Sequence, residues 1–405
     1  MLGLYRLLTA ALGPVVPALL AASPRRTGED RAERAGRGGA RGDGPLLWAH
    51  GASNGELAST EALLRAALER FPAMRLLVTS GTATGRTLAE GWRLDRTSVR
   101  LSPWDAPAAQ RRMVQGWGPA AYLFAESEIW PNRLLALEAA GVPVVGASVR
   151  LSARSARRWG RIAPGAAKRL LAVPELICPQ DRATADALRG LGARRIGPVG
   201  TLKADLPPMR PPADADALLK AFPRAGTVLA ASTHEGEEAF ALAAWRRARE
   251  VEPGLRLILA PRHPRRLSEV LEAAGPEATV RSRGDVPGSL YVADTLGELR
   301  FLYSLARLAF VGGSIAPLGG HTPYEPAAEG CAIAHGPDVS NAAEGYEALG
   351  DAAIGVASPE DLARAFALPP EEAASLGALA RERLSGGAAK VREAVLDALA
   401  PVLAV

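Results

Sequence analysis

From residue 46 onward, short apolar runs alternate with longer stretches of helical period. The runs at 46–50 (LLWAH), 75–80 (RLLVTS), 120–126 (AAYLFAE), 142–148 (VPVVGAS) and 175–180 (ELICPQ) read as buried strands. Helices are predicted between them, as over 56–69 and 131–140. At 205–212 (DLPPMRPP) four prolines fall in eight residues, which marks a linker. The alternation then restarts, with strands expected at 227–232, 256–262, 290–295, 305–313 and 331–336. From Ser358 the chain turns helical, opening on a capping sequence, Ser358-Pro359-Glu360-Asp361. Strands alternating with helices give parallel sheets covered on both faces, with ligands at the carboxyl ends of the strands. The expected class is therefore α/β, with two doubly wound halves facing a cleft. The expected divisions are an apolar segment (1–22), a basic linker (23–44), a first half (45–205), a hinge (206–212) and a second half (213–405).

At 405 residues, two cores are the default. The composition, 48% apolar and 22% charged, is that of a globular chain. The net charge of +5 favours anionic partners. Lipid is preferred over nucleic acid, because the basic residues are dispersed and no basic stripe is interleaved with aromatics. The two cysteines, Cys178 and Cys331, each sit in an apolar run and read as buried free thiols, which excludes a disulfide framework and suits a cytosolic face.

Residues 2–22 are almost wholly apolar and about long enough to span a bilayer, which takes roughly 20 residues. Arg25, Arg26, Arg31, Arg34, Arg37 and Arg41 follow. A basic flank of this kind stays cytoplasmic and attracts anionic lipid. The segment reads as an anchor or an interfacial helix. A cleaved signal peptide and an ordinary first helix packed on the protein are the competing readings.

The most informative stretch is 310–336, FVGGSIAPLGGHTPYEPAAEGCAIAHG. A buried strand runs into Gly312 and Gly313, then Gly319 and Gly320, then a helix start carrying Glu325. Glycines here let a backbone close on a phosphate, with free N–H groups aimed at it. Glu325 suits the hydroxyls of a ribose. The stretch therefore reads as a nucleotide-sugar pocket.

Other strand ends carry candidate chemistry. After the first strand, Glu56 opens a helix, where it either complements the helix dipole or serves as a general base. Glu126 and Glu128 stand just before Trp130 after the third; one caps the next helix and the other is a candidate for acceptor binding or catalysis. Arg150, Arg154, Arg157 and Arg158 form a solvated helix face or an anion clamp, and Lys203 points weakly the same way. Ser232, Thr233 and His234 follow a strand directly, as do Arg262 and His263, and both groups suit a phosphate or base. HExxH is absent, so no zinc site is expected, and Gly81–Thr87 has the wrong spacing for a P-loop. No dinucleotide fingerprint is found.

Taken in order, ESEIWPN (126–132), RLSARSA (150–156), ASTHEGEE (231–238), PRHP (261–264), DTLGEL (294–299) and the glycine stretch through EPAA resemble the Kdo transferases. These enzymes add 3-deoxy-D-manno-octulosonic acid (Kdo) to lipid A precursor. The resemblance covers about Trp48 to about Glu347. It implies a GT-B fold of two Rossmann-like domains, a CMP-Kdo donor, a lipid A precursor as acceptor and a place on the cytoplasmic face of the inner membrane, on its anionic lipid. It implies catalysis by Glu56 as base with Glu126 and Glu128. It puts Ser232, His234, Arg262, His263, Gly313, Ser314, Gly320, Glu325 and Asn341 on the donor side, and Arg150, Arg154 and Lys203 on the acceptor side. No metal or other cofactor is expected. Asn54, Ser148 and Thr201 depart from the family pattern, mainly on the acceptor half. A GT-B enzyme with another donor or acceptor, such as a nucleotide-sugar epimerase, and a non-catalytic paralog are the rival readings.

Overall fold

The computed structural model describes residues 1–12, 28–39, 41–206, 209, 211–385 and 387–404. The chain divides into two compact units: Met1–Pro207 with Gly387–Val405, and Pro208–Gly386.

The first unit is built on a parallel sheet: β1 (Leu46–Gly51), β2 (Arg75–Ser80), β3 (Thr97–Leu101), β4 (Ala121–Ala125), β5 (Val144–Val149) and β6 (Leu176–Pro179). Their order is β3-β2-β1-β4-β5-β6. Apart from the edge strand β3, the strands are mostly apolar and buried, because both faces of the sheet are covered. Side chains alternate across the sheet: Leu47 and Ala49 face one core with Leu63 and Leu64, whereas Leu46 and Trp48 face another with Tyr122 and Leu134.

The second unit holds β7 (Thr227–Thr233), β8 (Arg256–Pro261), β9 (Thr279–Val280), β10 (Leu290–Val292), β11 (Leu308–Val311), β12 (Ala332–His335) and β13 (Ala353–Gly355). These are also parallel, in the order β13-β12-β11-β7-β8-β10-β9. In each sheet the order reverses once beside its first strand, between β1 and β4 and between β7 and β11. Open α/β sheets bind ligands at the carboxyl ends of the strands at such a switch point. The expected capping box is present: Ser358 Oγ accepts the Asp361 N–H at 3.1 Å and Asp361 accepts the Ser358 N–H at 3.0 Å. Cys178 and Cys331 are buried and free, and burial pushes both thiols up to about 12.

Two expected divisions, the tail and the linker, are corrected. The tail does not stay with the second half. Helix Ala388–Leu403 buries Val391, Val395, Leu396, Leu399 and Leu403 in the core of the first unit. Residues 28–39 and 41–44 are not a loose linker. A short helix, Gly28–Arg34, buries Glu33, which accepts the Leu101 N–H at 2.7 Å and pairs with Arg86 and Arg100. Arg34 donates to the carbonyls of Ser102 and Gly81, and Arg41 to that of Gln115, so these two cations are spent on the protein. Of the apolar segment, helix Leu2–Leu12 is described, and 13–22, with Arg25 and Arg26, lies outside the described residues. No helix among the described residues is long and apolar enough to cross a membrane. The first helix packs by one side, with Tyr5 donating to Asp105 at 2.9 Å and Thr9 accepting from Asn132 at 3.0 Å. Its other side leaves Leu4, Leu7 and Leu8 exposed at 60%, 70% and 53%.

Candidate functional site

At the switch point of the first sheet, β1 ends at Gly51 and helix Asn54–Arg70 begins. Ser53 caps that helix by accepting the Glu56 N–H at 3.3 Å. The Glu56 carboxylate turns back and accepts the Ala52 N–H through Oε2 at 2.8 Å. Burial lifts its pKa to about 7; the Ala52 N–H opposes this, and the charges of Glu128 and Glu126 add to it. Glu56 is thus both a brace for the turn before the helix, through Ala52, and a carboxylate poised near neutrality.

Beside it, after β4, Glu126 holds a left-handed φ of 51° and pairs with Lys203 at 3.1 Å. Glu128 is buried against His50, Nε2 to Oε2 at 2.8 Å, and also accepts from the Trp130 indole. Burial works to raise the Glu128 pKa, but the bonds from His50 and Trp130 hold it below the usual range. Burial, with Arg133 nearby, pushes His50 down to about 4. Arg133, 2% exposed, donates to Tyr122 Oη at 2.9 Å and to Ser102 Oγ at 2.6 Å. Sequence reasoning assigned no role to His50 or Arg133. The available signal was a polar residue closing an otherwise apolar strand.

Asn54, Ser148 and Thr201 all brace loops. Asn54 accepts from Thr82 at 3.4 Å and from Thr84 at 3.0 Å. Ser148, at φ 50°, accepts the Leu202 N–H at 2.6 Å. Thr201 caps the turn Leu202–Ala204 that carries Lys203. Arg150 and Arg154 are exposed at the start of helix Ala153–Ile162. Glu126, Arg150, Ser155 and Trp159 line a cavity of about 340 Å³.

At the switch point of the second sheet, three histidines converge from three strands. His234, after β7, and His321, after the glycines, face each other Nε2 to Nε2 at 2.9 Å. His263, after β8, sits edge-on to His234 with ring centroids 5.7 Å apart. Two imidazoles in such contact share one N–H between them. In keeping with this, burial, with His234 and Arg262 nearby, pushes His321 down to about 4. Arg262 is exposed beside them. Ser232, at φ 54°, completes the bend. His321 was not among the expected donor residues, although it stands in the glycine stretch.

The glycine stretch occupies the expected edge, but its amides are not free. Gly313 N donates to Glu237 Oε2 at 2.7 Å, and Ser314 N and Ile315 N donate to Glu237 Oε1 at 2.9 Å each. Gly319 N donates to Asp338 at 2.9 Å, Gly320 N to the Gly313 carbonyl at 2.7 Å and His321 N to the Gly312 carbonyl at 3.1 Å. Free N–H groups aimed at a phosphate are therefore not what these residues present. Ser314 is fully buried; its hydroxyl donates to the Val311 carbonyl at 2.6 Å and accepts the Gly336 N–H at 2.8 Å. Gly320, at φ 68°, is fixed by the close Asp338 carbonyl, which a Cβ would approach to 2.8 Å. Asn341 donates to the Leu318 carbonyl at 2.7 Å. Glu325 lies half-buried on the five-residue helix Tyr324–Ala328, and burial raises its pKa against the pull of Arg300.

Residues 29–206 match the family described as 3-deoxy-D-manno-octulosonic-acid transferase (kdotransferase). The chain is 34% identical to the 3-deoxy-D-manno-octulosonic acid transferase of Bordetella pertussis, over 84% of each chain. It is 31% identical to that of Haemophilus influenzae, over 70% of this chain and 68% of that one. In fold it is similar to UDP-GlcNAc 2-epimerase from Neisseria meningitidis, with TM-score 0.58 and 12% identity, covering 88% of this chain and 100% of the other. That likeness fits two Rossmann-like domains of the GT-B kind. The chain belongs to the 3-deoxy-D-manno-octulosonic acid transferase family, and is thus a glycosyltransferase.

Proposed function

We propose that the protein is an inverting glycosyltransferase that moves Kdo from CMP-Kdo to a glucosamine hydroxyl of lipid A precursor (lipid IVA), in lipopolysaccharide biosynthesis. The observation that carries this reading is Glu56, a carboxylate lifted to about 7 at the carboxyl end of β1. Glu56 takes the proton of the acceptor hydroxyl as that oxygen attacks the anomeric carbon of Kdo. The bond from that carbon to the phosphate oxygen breaks, and CMP leaves with the electron pair. The first unit supplies the acceptor side, where Glu126 and Lys203 bind and Glu128 holds the local field, with Arg150 and Arg154 on the anionic acceptor.

The second unit supplies the donor side. Arg262, His263, His234 and His321 meet the single phosphate with side chains, and Glu325 takes the ribose. Arg262 and the imidazole N–H donors facing one phosphate take the place of a metal, so EDTA is expected to leave turnover unchanged. Ser314 and Asn341 serve by shaping the loops.

The test is a transfer assay with CMP-Kdo and tetra-acylated lipid A precursor across pH 5–9. A base must be ionised to act. The rate is expected to be level above pH 7 and to fall about tenfold per unit below it, as Glu56 gains its proton. A flat acid limb down to pH 5 would remove Glu56 as the base, and absence of Kdo transfer would remove the reading.

The acceptor is a lipid, so the enzyme docks on the cytoplasmic face of the inner membrane. Exposed Leu4, Leu7 and Leu8, with Ile162 at 60% exposure, provide apolar contact. Arg154, Arg157, Arg158 and Arg161 on helix Ala153–Ile162 provide charge for anionic lipid. Changing Leu4, Leu7 and Leu8 together to Ser is expected to cut binding to anionic vesicles at least ~10-fold, since each buried Leu is worth roughly 1.5–3 kcal/mol. Co-sedimentation measures this; unchanged binding would place the docking surface elsewhere.

A further inference from the structure

The carboxylate of Glu237 does what the sequence pattern assigns to a ligand. Four backbone N–H groups converge on it: Gly313, Ser314 and Ile315 from the loop after β11, and His234, whose N–H reaches Oε2 at 2.9 Å. Glu237 is 1% exposed and opens helix Glu237–Val251, so that helix also favours its charge. Successive N–H groups of this kind form an anion-binding nest. Gly312 is glycine for the same reason: a Cβ there would lie 2.8 Å from Glu237 Oε2 and 2.6 Å from the Ser232 carbonyl. The neighbouring acid, Glu238, has a different task, accepting from Thr233 at 3.1 Å and from Arg266 at 2.8 Å.

We propose that Glu237 is a positioning residue of the donor site: a built-in anion that fills the nest and fixes the loop carrying Gly313 beside His234 and His321. This rests on the reading that the second unit holds the donor nucleotide. Two consequences follow from the contacts. The nest is closed to the donor phosphate, which meets Arg262 and the histidines. The carboxylate also ties the segment after β7 to the segment after β11, so the facing of His234 and His321 depends on it. Gly313 is part of that tie, since its Cβ position lies 3.1 Å from the His321 ring. Loss of the charge leaves four inward-facing donors without their acceptor, and hydrogen bonds to a charged group are the strong ones.

The experiment measures CMP affinity by calorimetry and thermal midpoints by scanning, on full-length wild type, Glu237→Gln and Glu237→Ala. Affinities are taken well below the midpoints. Glu237→Gln keeps the volume but turns an amide N–H₂ toward N–H donors, and should weaken CMP at least ~10-fold. Glu237→Ala should weaken it further. Sodium formate should then restore CMP affinity and raise the midpoint of Glu237→Ala alone, because only that variant has a vacant nest. CMP affinity within twofold of wild type in either variant overturns the proposal, as does formate acting equally on all three proteins. Should Glu237→Ala not fold, Glu237→Gln decides by the same twofold criterion. Should wild type bind UDP and not CMP, the donor reading fails. Glu237 is then judged by UDP affinity and the formate-dependent midpoint.

Discussion

Glu56→Gln is expected to lower turnover at least ~100-fold with little change in folding, the loss typical of a removed general base. The two halves of this expectation come from the two jobs of one side chain. The glutamine carbonyl can still accept the Ala52 N–H that Glu56 accepts at 2.8 Å, so the turn before the helix keeps its brace. The amide cannot take a proton from a hydroxyl, so the chemical step loses its base. Glu56→Ala removes both functions and is expected to lose turnover and, in addition, about 0.5–1.5 kcal/mol of stability, as for a lost hydrogen bond. The comparison separates the readings. A merely structural residue would leave Glu56→Gln near wild-type turnover, and that result in the transfer assay would end the assignment. If Glu56 is the base, the acid limb centred near pH 7 should vanish from the residual rate of Glu56→Gln, because the group that burial holds there has been removed.

The sheets were readable in the sequence because parallel strands covered on both faces are continuous apolar runs. The run at 46–50 became Leu46–Gly51 and that at 227–232 became Thr227–Thr233. β3 was missed because it lies at the edge of its sheet and carries half-exposed polar residues such as Arg100. β9 and β13, of two and three residues, are shorter than any pattern can register. The positions of the strand ends were also readable: the topology puts Glu56, Glu126 and Glu128 at one switch point and His234, His263 and His321 at the other.

The atoms were less readable. A glycine-rich turn looks the same in sequence whether its amides await a phosphate or already hold a carboxylate. Glu237 is 76 residues from Gly313 along the chain. Glu33 is a similar case: a charge in an Arg-rich run that looks solvated, yet is 4% exposed and bonded to Leu101, 68 residues away. Local pattern reports backbone geometry; which donor meets which acceptor is fixed by tertiary packing.

Deletion of residues 386–405 is expected to abolish cooperative folding of the first unit, although these residues come after the whole second unit in the chain. The sequence pattern groups this segment with the second half (213–405), and its removal would then leave the first unit intact. Its packing says otherwise. Val391, Val395, Leu396, Leu399 and Leu403 are each 4% exposed or less and lie among Leu47, Leu63, Leu64, Val145, Leu176 and Leu202. Five such side chains are worth roughly 1.5–3 kcal/mol each on burial, a sum comparable with the ~5–15 kcal/mol that holds a whole domain. Polar ties add to this at the same surface: Arg392 pairs with buried Asp205, and Arg70 bonds Glu393 at 3.0 Å and Asp397 at 2.7 Å. The exposed Arg70 pairs contribute little, so the apolar face decides the outcome. A point variant gives the graded version: Leu399→Ala, at a fully buried position, should cost about 2–5 kcal/mol. Calorimetry on the deleted chain should show the second unit's transition without that of the first. A deleted chain that unfolds with wild-type midpoints would mean that the helix is not needed to close this core.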